Sequence, residues 1–510
     1  MVVYFNCCFK KSRPCSQTKT EKKMWSRSLA RMRKHNFIRI LEKDSWRRWI
    51  CSEPRKRFAA LWGNGDYGRL GLSSLESQWR PVVCSSFENQ SLKAIACGGA
   101  HTLFLTAMAS VRIEAHNNTP PLTETGRVYA TGLNDFGQLG ISENTSYTLE
   151  PHEVSGLGKE ISQISAGYHH SSAITDDSTN WNLTRGFSSL GEELVGYMCR
   201  TMVKVLSSRK GVTVDGELYI WGKNSHGQLG LGKKAAKVIP VPTKVECLSG
   251  IFIKLAALGS EHSVAVTDGG RVLSWGGGGS GRLGHGQESS ILGFLRSTRY
   301  DFLLVDNAKV LSEYTPRLIK KLEGIKVKTA AAGLLHSTCI DENGCVFIFG
   351  QRAVDKMVVQ DRNNVTTPSL VSELPYSEDV ACGGYHTCVV TSGGELYSWG
   401  SNENGCLGIG STDVCNSPEK VQGPFAESPV YKVSCGWKHT AAISEGNVFT
   451  WGWGGSNGTF SDDGHSSGGQ LGHGNDIDYI QPTMVNFGKN VRALEVSCGF
   501  NHTGAILEYV

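Results

Sequence analysis

The sequence predicts an all-β fold, a closed seven-bladed β-propeller with four strands in each blade. Three features support this prediction: a glycine-rich composition, two motifs that recur along the chain, and a constant spacing between them. Glycine accounts for 61 of the 510 residues, about 12% against a usual value of about 7%, and it follows no collagen period. Such a composition indicates many tight turns, and therefore many short strands.

The first repeated unit is a Trp-Gly pair followed by a glycine-rich turn. A clear copy is WGKNSHGQLG at 221–230, and others begin at positions 62, 131, 275 and 399, with weaker copies at 349 and 451. We expect the tryptophans of these units to pack one blade against the next and to have a structural role. They are Trp62, Trp221, Trp275, Trp399 and Trp451.

The second repeated unit is Gly-x-x-His after a short apolar run, and it occurs seven times. A proline precedes each histidine by 18 to 21 residues. Self-similarity at a fixed spacing is the signature of a repeat architecture, and seven copies predict seven equivalent blades. The histidines are His101, His170, His262, His336, His386, His439 and His502, and the prolines are Pro81, Pro151, Pro242, Pro316, Pro368, Pro418 and Pro482.

Each unit alternates β-branched and aromatic runs with turns, as in GGELYSWG at 393–400, which is typical of strands joined by tight hairpins. One four-stranded sheet cannot bury both of its faces, whereas seven sheets packed radially can. After His502 only TGAILEYV remains, so the last unit lacks its Trp-Gly strand. The missing strand is present as FAALWG at 58–63, and we expect it to pair with residues 502–507 and close the ring.

Charge divides the chain into a basic head and an acidic body. Residues 1–57 hold 17 Lys and Arg against 4 Asp and Glu, and the remainder holds 35 against 43. Attraction to nucleic acid therefore belongs to the head, and the body has no net reason to bind phosphate backbones. The 16 cysteines form no dense framework, so we expect reduced thiols. No apolar run reaches about 18 residues, and no membrane span is predicted.

The head predicts an amphipathic helix from Met24 onward, with apolar and basic residues on opposite faces. The apolar face holds Trp25, Leu29 and Met32, and the basic face holds Arg27, Arg31 and Lys34. This composition is typical of a mitochondrial transit peptide, and Met24 is a candidate start. The alternative is a basic arm that serves nuclear import or binds nucleic acid. The protein would then be located in the nucleus or the cytoplasm.

Four segments interrupt the repeat spacing: 108–124, 176–213, about 289–312 and about 456–467. Excision of the first two restores the motif at the same hairpin turn, so two interpretations stay open, evolved loops or retained intron sequence. In both cases we expect extruded segments, because the entropy of loop closure grows slowly with length. The polar segment 456–467 is interpreted as a surface loop suited to partner binding.

The motifs Trp-Gly-x-Asn-x-x-Gly-x-Leu-Gly and Cys-Gly-x-x-His-Thr resemble the repeats of the regulator of chromosome condensation family, and the resemblance covers residues 58–510. It implies the propeller fold, but it implies function only weakly. The same fold serves exchange factors, photoreceptors, ubiquitin-ligase modules and organellar factors.

Three members of this family suggest different functions. The founding exchange factor implies a Ran-like small GTPase as partner. The plant ultraviolet-B photoreceptor uses repeated Gly-Trp-Arg-His-Thr motifs, which only Gly436-Trp437-Lys438-His439 approaches here. At the other six positions stand Gly99, His169 or its neighbour, Ser260, Leu334, Gly384 and Phe500, so light sensing is not expected.

A plant mitochondrial subgroup of the family, linked to splicing of organellar transcripts and to assembly of respiratory complex I, agrees best with the head. This resemblance implies a non-enzymatic scaffold whose rim loops bind proteins and which reaches RNA indirectly. The alternative is nucleotide exchange on a Ran-like GTPase.

The sequence predicts no catalytic, cofactor-binding or metal-binding residues. Seven histidines placed one per blade cannot converge on one ion, and we expect them to hydrogen-bond strand or turn backbone in each blade. The Gly-x-Gly-x-x-Gly pattern within 275–284 is in register with the other turns and opens no helix, so it predicts no nucleotide site. One repeat position carries Cys97, Cys382, Cys435 and Cys498, which we interpret as core packing.

Overall fold

The computed structural model describes residues 56–88, 90–107, 126–143, 145–176, 216–286, 312–351, 364–455 and 468–510. The predicted targeting helix and segments 108–124 and 456–467 lie outside these residues, as do nearly all of 176–213 and of 289–312. Lys56–Val510 form one compact unit. Within the described residues no helix is long and apolar enough to cross a bilayer.

The described residues form 28 strands. In chain order they are β1 (Arg57–Gly63), β2 (Gln78–Val83), β3 (Leu92–Cys97), β4 (His101–Thr106), β5 (Val128–Leu133), β6 (Tyr147–Glu153), β7 (Ile161–Ala166), β8 (His170–Thr175), β9 (Leu218–Lys223), β10 (Val238–Lys244), β11 (Ile253–Leu258), β12 (His262–Thr267), β13 (Val272–Gly276), β14 (Glu313–Leu318), β15 (Val327–Ala332), β16 (His336–Asp341), β17 (Val346–Gln351), β18 (Asn364–Leu370), β19 (Ser377–Cys382), β20 (His386–Thr391), β21 (Leu396–Gly400), β22 (Cys415–Lys420), β23 (Val430–Cys435), β24 (His439–Ser444), β25 (Asn447–Gly452), β26 (Tyr479–Met484), β27 (Val491–Cys498) and β28 (His502–Tyr509).

These strands form seven four-stranded antiparallel sheets, which confirms the predicted propeller. Blades 1 to 6 take consecutive sets of four strands, β3–β6 through β23–β26, and blade 7 has the order β2-β1-β28-β27. The first strand of each set lies innermost, at the central channel, and the Gly-x-x-His unit leads from it into the second strand.

Closure of the ring follows the predicted pairing of the two chain ends. Phe58 pairs with Leu507 and Ala59 with Ile506, in the antiparallel register of β1 with β28. The other edge of β1 pairs with β2. The terminal segment therefore supplies an interior strand of blade 7 and locks the ring.

The hydrophobic core lies between adjacent blades. In the cluster between blades 1 and 2, fully buried Trp221 packs with Leu139 and Ile164. The second strand of every blade is buried almost throughout, as in β12 from His262 to Thr267. Full burial of one large apolar side chain contributes about 1.5–3 kcal/mol, so each blade is stabilised chiefly by its neighbours.

The repeated prolines lie in the outermost strands, where the pairing with the third strand is irregular. In blade 5 the register shifts between the pairs Ser398 with Glu419 and Gly400 with Cys415, and Pro418 lies within this irregularity. Proline has no backbone N–H to donate to a ladder and is tolerated at sheet edges and bulges. The prolines therefore mark the outer edge of each blade.

The glycine at this repeat position has a positive φ, between 103° and 117°, in all seven blades, including the two in which Thr131 and Phe349 replace the tryptophan. A Cβ on Gly276 would lie 2.5 Å from the carbonyl oxygen of Glu261. Both the backbone conformation and the close approach of the second strand require glycine here.

Candidate interaction face at the central channel

The seven repeat histidines form a closed ring of contacts between blades. Each is buried, and its Nε2 lies 2.8–3.2 Å from a Ser or Thr hydroxyl of the following blade. The pairs are His101 with Ser171, His170 with Ser263, His262 with Ser337, His336 with Thr387, His386 with Thr440, His439 with Thr503 and His502 with Thr102. The partner of each Nε2 is thus a side-chain hydroxyl of the neighbouring blade, whereas the sequence analysis predicted strand or turn backbone.

The hydroxyl of this pair determines the tautomer of the histidine. Ser171 donates its only hydroxyl proton to the carbonyl of Gln138 at 2.8 Å, so it accepts from Nε2–H of His101. Nδ1 of His101 is then unprotonated, and it is buried without a hydrogen-bond partner. Burial, with a smaller contribution from nearby His169, lowers the pKa of His101 to about 3. The imidazole is therefore neutral at physiological pH.

The repeat tryptophans lie at the same contacts between blades. Trp221, Trp275 and Trp451 each donate Nε1–H to a backbone carbonyl of the preceding blade at 2.9 Å. The carbonyl that Trp221 reaches, that of Gln138, is also the acceptor for the Ser171 hydroxyl. Trp62 is fully buried between blades 6 and 7, and Trp399 is buried among apolar residues of blades 4 and 5.

The central channel contains a cavity of about 130 Å³ lined by the innermost strands and the Gly-x-x-His turns. Four successive blades contribute Cys382, Cys435, Cys498 and Cys97 to its wall, and all four are free thiols. Burial raises the pKa of Cys97 and of Cys382 to about 12. These thiols are protonated at neutral pH and are poor nucleophiles.

An aromatic cluster lies at one mouth of the channel, and we call Tyr168, Phe500, Trp437 and Trp453 the aromatic mouth. Tyr168 contacts Phe500 edge-on at 5.1 Å between ring centroids, Phe500 stacks on Trp437 at 4.3 Å, and Trp437 meets Trp453 edge-on at 5.7 Å. Tyr168, Phe500 and Trp437 are half-buried, so each is partly exposed to solvent.

Sequence reasoning did not find the aromatic mouth. Tyr168, Trp437 and Phe500 each directly follow the glycine of a Gly-x-x-His unit. The residue of blade 2 at this repeat position, for which the sequence analysis gave His169 or its neighbour, is therefore Tyr168. That shared repeat position is a signal that the sequence contains. Trp453 belongs to a different repeat position, and only the fold brings it to Trp437.

A side cavity of about 250 Å³ adjoins Trp437. Its lining includes Tyr385, Glu403 and Lys438. The ammonium of Lys438 lies 4.8 Å from the Trp437 ring centroid and 3.3 Å from a carboxylate oxygen of Glu403. A pocket with aromatic walls and several polar and charged side chains is suited to a protruding side chain of a partner.

The fold and the ring of seven repeated contacts define a closed propeller of tandem repeats. Residues 211–505 match the family model of the RCC1-like domain, and residues 61–105 and 125–174 match that of the regulator of chromosome condensation (RCC1) repeat. The chain belongs to the RCC1 repeat family.

Several characterised proteins share extended similarity with the chain. The ultraviolet-B receptor UVR8 of Arabidopsis thaliana is 30% identical over 440 residues, which cover 85% of this chain and 78% of the receptor. The RCC1 domain-containing protein RUG3, mitochondrial, of the same plant is 29% identical over 313 residues, 58% of this chain and 61% of that protein. Human E3 ubiquitin-protein ligase HERC2 is 31% identical over 298 residues, 57% of this chain but only 5% of the ligase.

Two solved structures share the fold. Human WBSCR16 superposes with a TM-score of 0.64 at 22% identity and covers 89% of this chain and all of that one. Prp20p of Saccharomyces cerevisiae also gives a TM-score of 0.64, at 20% identity, over 90% of this chain and 93% of its own. At these identities the likeness concerns the fold alone.

Proposed function

We propose that this protein is a non-enzymatic interaction scaffold in mitochondria that supports processing of organellar RNA, and thereby assembly of respiratory complexes. The observation that carries the proposal is the similarity to RUG3, whose name places that protein in mitochondria. The basic, amphipathic head at residues 24–57 supports the same location.

The aromatic mouth and the side cavity support a scaffold. Tyr and Trp dominate the binding energy of many protein interfaces, because their large, rigid rings bury much area at small entropic cost. Trp437 belongs to both features, which makes it the central residue of the surface. Residues 58–510 carry more acidic than basic groups, so we propose that RNA is reached through bound proteins at this surface and at the rim loops.

The location is tested by fusing residues 24–60 to a fluorescent reporter. We expect signal in mitochondria, and the matched variant Arg27→Glu with Arg31→Glu should remain in the cytosol because it reverses the charge of the basic face of the predicted helix. Nuclear or cytosolic signal from the unaltered fusion would contradict the mitochondrial part of the proposal.

The scaffold is tested by affinity capture from purified mitochondria, with bound proteins and RNA identified. The double variant Trp437→Ala, Phe500→Ala should lose partners that the wild type retains. Tyr147→Ala is the control, because Tyr147 is 43% exposed on an outer strand far from the channel. Ribonuclease treatment should leave the set of bound proteins unchanged. Equal capture by the wild type and the double variant would argue against this surface.

The second candidate function is nucleotide exchange on a Ran-like small GTPase. It is favoured by the shared fold with Prp20p, a protein described together with its binding to Gsp1p and histones. An exchange factor would accelerate release of labelled guanine nucleotide from such a GTPase. Release at the intrinsic rate with micromolar protein would remove this candidate.

A further inference from the structure

Two cysteines and one histidine meet at the contact between blades 5 and 6. His386 and Cys388 lie two residues apart on β20, and therefore on the same face of that strand. Cys435 ends β23, the innermost strand of the next blade. A ring nitrogen of His386 and the two sulfur atoms all lie within 4.8 Å of one another. Within the described part of the chain this is the one cluster of three such donors.

The cluster is not a property of the repeat. Each blade has a residue two positions after its histidine, and only blade 5 has cysteine there. The other six residues are Leu103, Ser172, Val264, Thr338, Ala441 and Gly504. The combination of Cys388 with Cys435 across one blade contact is therefore a departure from the repeat, and it places two soft donors beside an imidazole.

Both cavities described above reach the cluster. Cys435 is half-buried and lines the central channel, and His386 lines the side cavity next to Trp437. Cys388 is fully buried behind them. An ion entering from the channel would meet the sulfur of Cys435 first and would be enclosed by the other two donors.

We propose that His386, Cys388 and Cys435 form a binding site for copper(I). Thiolate and imidazole donors favour Cu⁺ and Zn²⁺ over harder ions such as Mg²⁺ and Ca²⁺. Structural zinc sites are almost always four-coordinate, whereas the described residues supply three donors here. This donor set fits an ion that accepts two or three ligands.

Charge at the buried site also favours the monovalent ion. Cys388 is fully buried and Cys435 is half-buried, so a thiolate charge that the bound ion did not balance would be costly here. Cu⁺ bound to one thiolate and the neutral imidazole gives a neutral complex and releases one proton to solvent, and the second sulfur completes the coordination. Zn²⁺ would reach neutrality only after both thiols had lost their protons.

The site is tested by titrating the reduced, anaerobic protein with Cu⁺ against a chromophoric Cu⁺ chelator. All samples carry serine at the cysteines outside the described residues, so that these thiols do not compete. They are Cys7, Cys8, Cys15, Cys51 and Cys199. We expect one Cu⁺ per chain, with thiolate-to-metal absorption in the ultraviolet.

Cys388→Ala and Cys435→Ala should each lower the affinity for Cu⁺ at least about tenfold. Even the loss of a group that only hydrogen-bonds a metal ligand lowers metal affinity by about that factor. Both should fold, because the corresponding positions of other blades hold Ala441 and Ala332. Cys388→Ser keeps the size without the soft donor and should behave like Cys388→Ala. The control is Cys97→Ala, at the repeat position of Cys435 in another blade, and it should retain Cu⁺.

Two results would contradict the proposed site. One is complete transfer of Cu⁺ from the wild-type protein to the chelator, and the other is equal retention of Cu⁺ by the Cys388, Cys435 and Cys97 variants. A parallel titration with Zn²⁺ and a chromophoric zinc indicator decides the metal. Tighter binding of Zn²⁺ than of Cu⁺, lost in the Cys388 and Cys435 variants, would overturn the assignment to copper.

Discussion

The glycine three residues before each ring histidine leaves the space that the imidazole occupies. A Cβ on Gly436 would lie 2.2 Å from Cε1 of His439, and at the other six glycines of this type the corresponding distance is 2.3–2.8 Å. None of the seven has a positive φ. The requirement for glycine here is therefore steric, and it is linked to the contact that His439 makes with Thr503.

Gly436→Ala should lower the free energy of unfolding by about 1–3 kcal/mol, the usual cost of an overpacked core. The displaced imidazole would also weaken its bond to Thr503. Denaturant unfolding measures the change. Gly158→Ala is the matched control, because no atom lies within 4 Å of the position of its Cβ. Equal stability of the two variants would show that the ring has room to shift.

The ring histidines should make the fold sensitive to acid. Burial lowers the pKa of His170, His386 and His439 to about 3, whereas the unfolded chain binds these protons near pH 6.5. The unfolded state then holds more protons than the folded state below pH 6.5. Stability is fully present above that pH and falls on acidification, by up to about 1.4 kcal/mol per pH unit for each histidine.

Urea unfolding at pH 7, 6 and 5 measures this effect above the range in which most carboxylates titrate. We expect little change above pH 6.5 and a steep fall toward pH 5. The variant His439→Gln should be less stable at pH 7 but should show a slope smaller by about one proton. A free energy of unfolding that is constant from pH 7 to pH 5 would contradict buried, neutral histidines.

At the scale of the strand, β1 holds the ring closed because it has partners on both edges. Ala60 pairs with Ala505 of β28 on one side and with Val83 of β2 on the other. Phe58 adds a stack on Tyr509 at 4.8 Å between centroids. A fault in β1 therefore disturbs blade 7, which combines the first two and the last two of the described strands.

Ala60→Pro removes a ladder donor from an interior strand and should cost about 3 kcal/mol or more in the free energy of unfolding. Asn416→Pro is the matched control in the outer strand β22, at a position where β10 already holds Pro240. We expect the control to unfold like wild type in urea. If both variants lose stability equally, β1 is not the lock of the ring.

At the scale of the whole propeller, the strand pairing continues undisturbed up to the positions where segments interrupt the repeat. Leu105 pairs with Val128, and Thr106 N–H then donates to the carbonyl of Arg127 at 3.0 Å. In blade 3, which has no insert at this turn, the Thr267 N–H makes the same bond to Arg271 at 3.0 Å. The hairpin is therefore complete without residues 108–124.

Deletion of residues 108–124 should leave the fold intact and raise the free energy of unfolding by up to about 1 kcal/mol, because a shorter loop costs less entropy to close. Circular dichroism and urea unfolding of the deletion protein check this. Loss of the cooperative transition would show that the segment packs into the propeller. The same deletion shows whether these residues are needed for partner binding.

The sequence predicted the blades, their number and their closure because each repeat residue reports a local requirement. Proline marks an edge without a donor, the glycine of Trp-Gly marks a backbone of positive φ, and FAALWG at 58–63 marks the strand that the last blade lacks. The aromatic mouth was not predicted, since Trp453 and Trp437 occupy different repeat positions and meet only because β24 pairs with β25.

By itself, the sequence determined the architecture of this protein, because residues that recur in every repeat reflect structural requirements that all seven blades share. Only the tertiary structure decided which side chains of different blades touch. His101 and Ser171 are 70 residues apart, and Cys388 and Cys435 belong to different blades, yet each pair meets at a blade contact. Such contacts depend on the radial packing of the sheets, which brings together residues that no local periodicity relates.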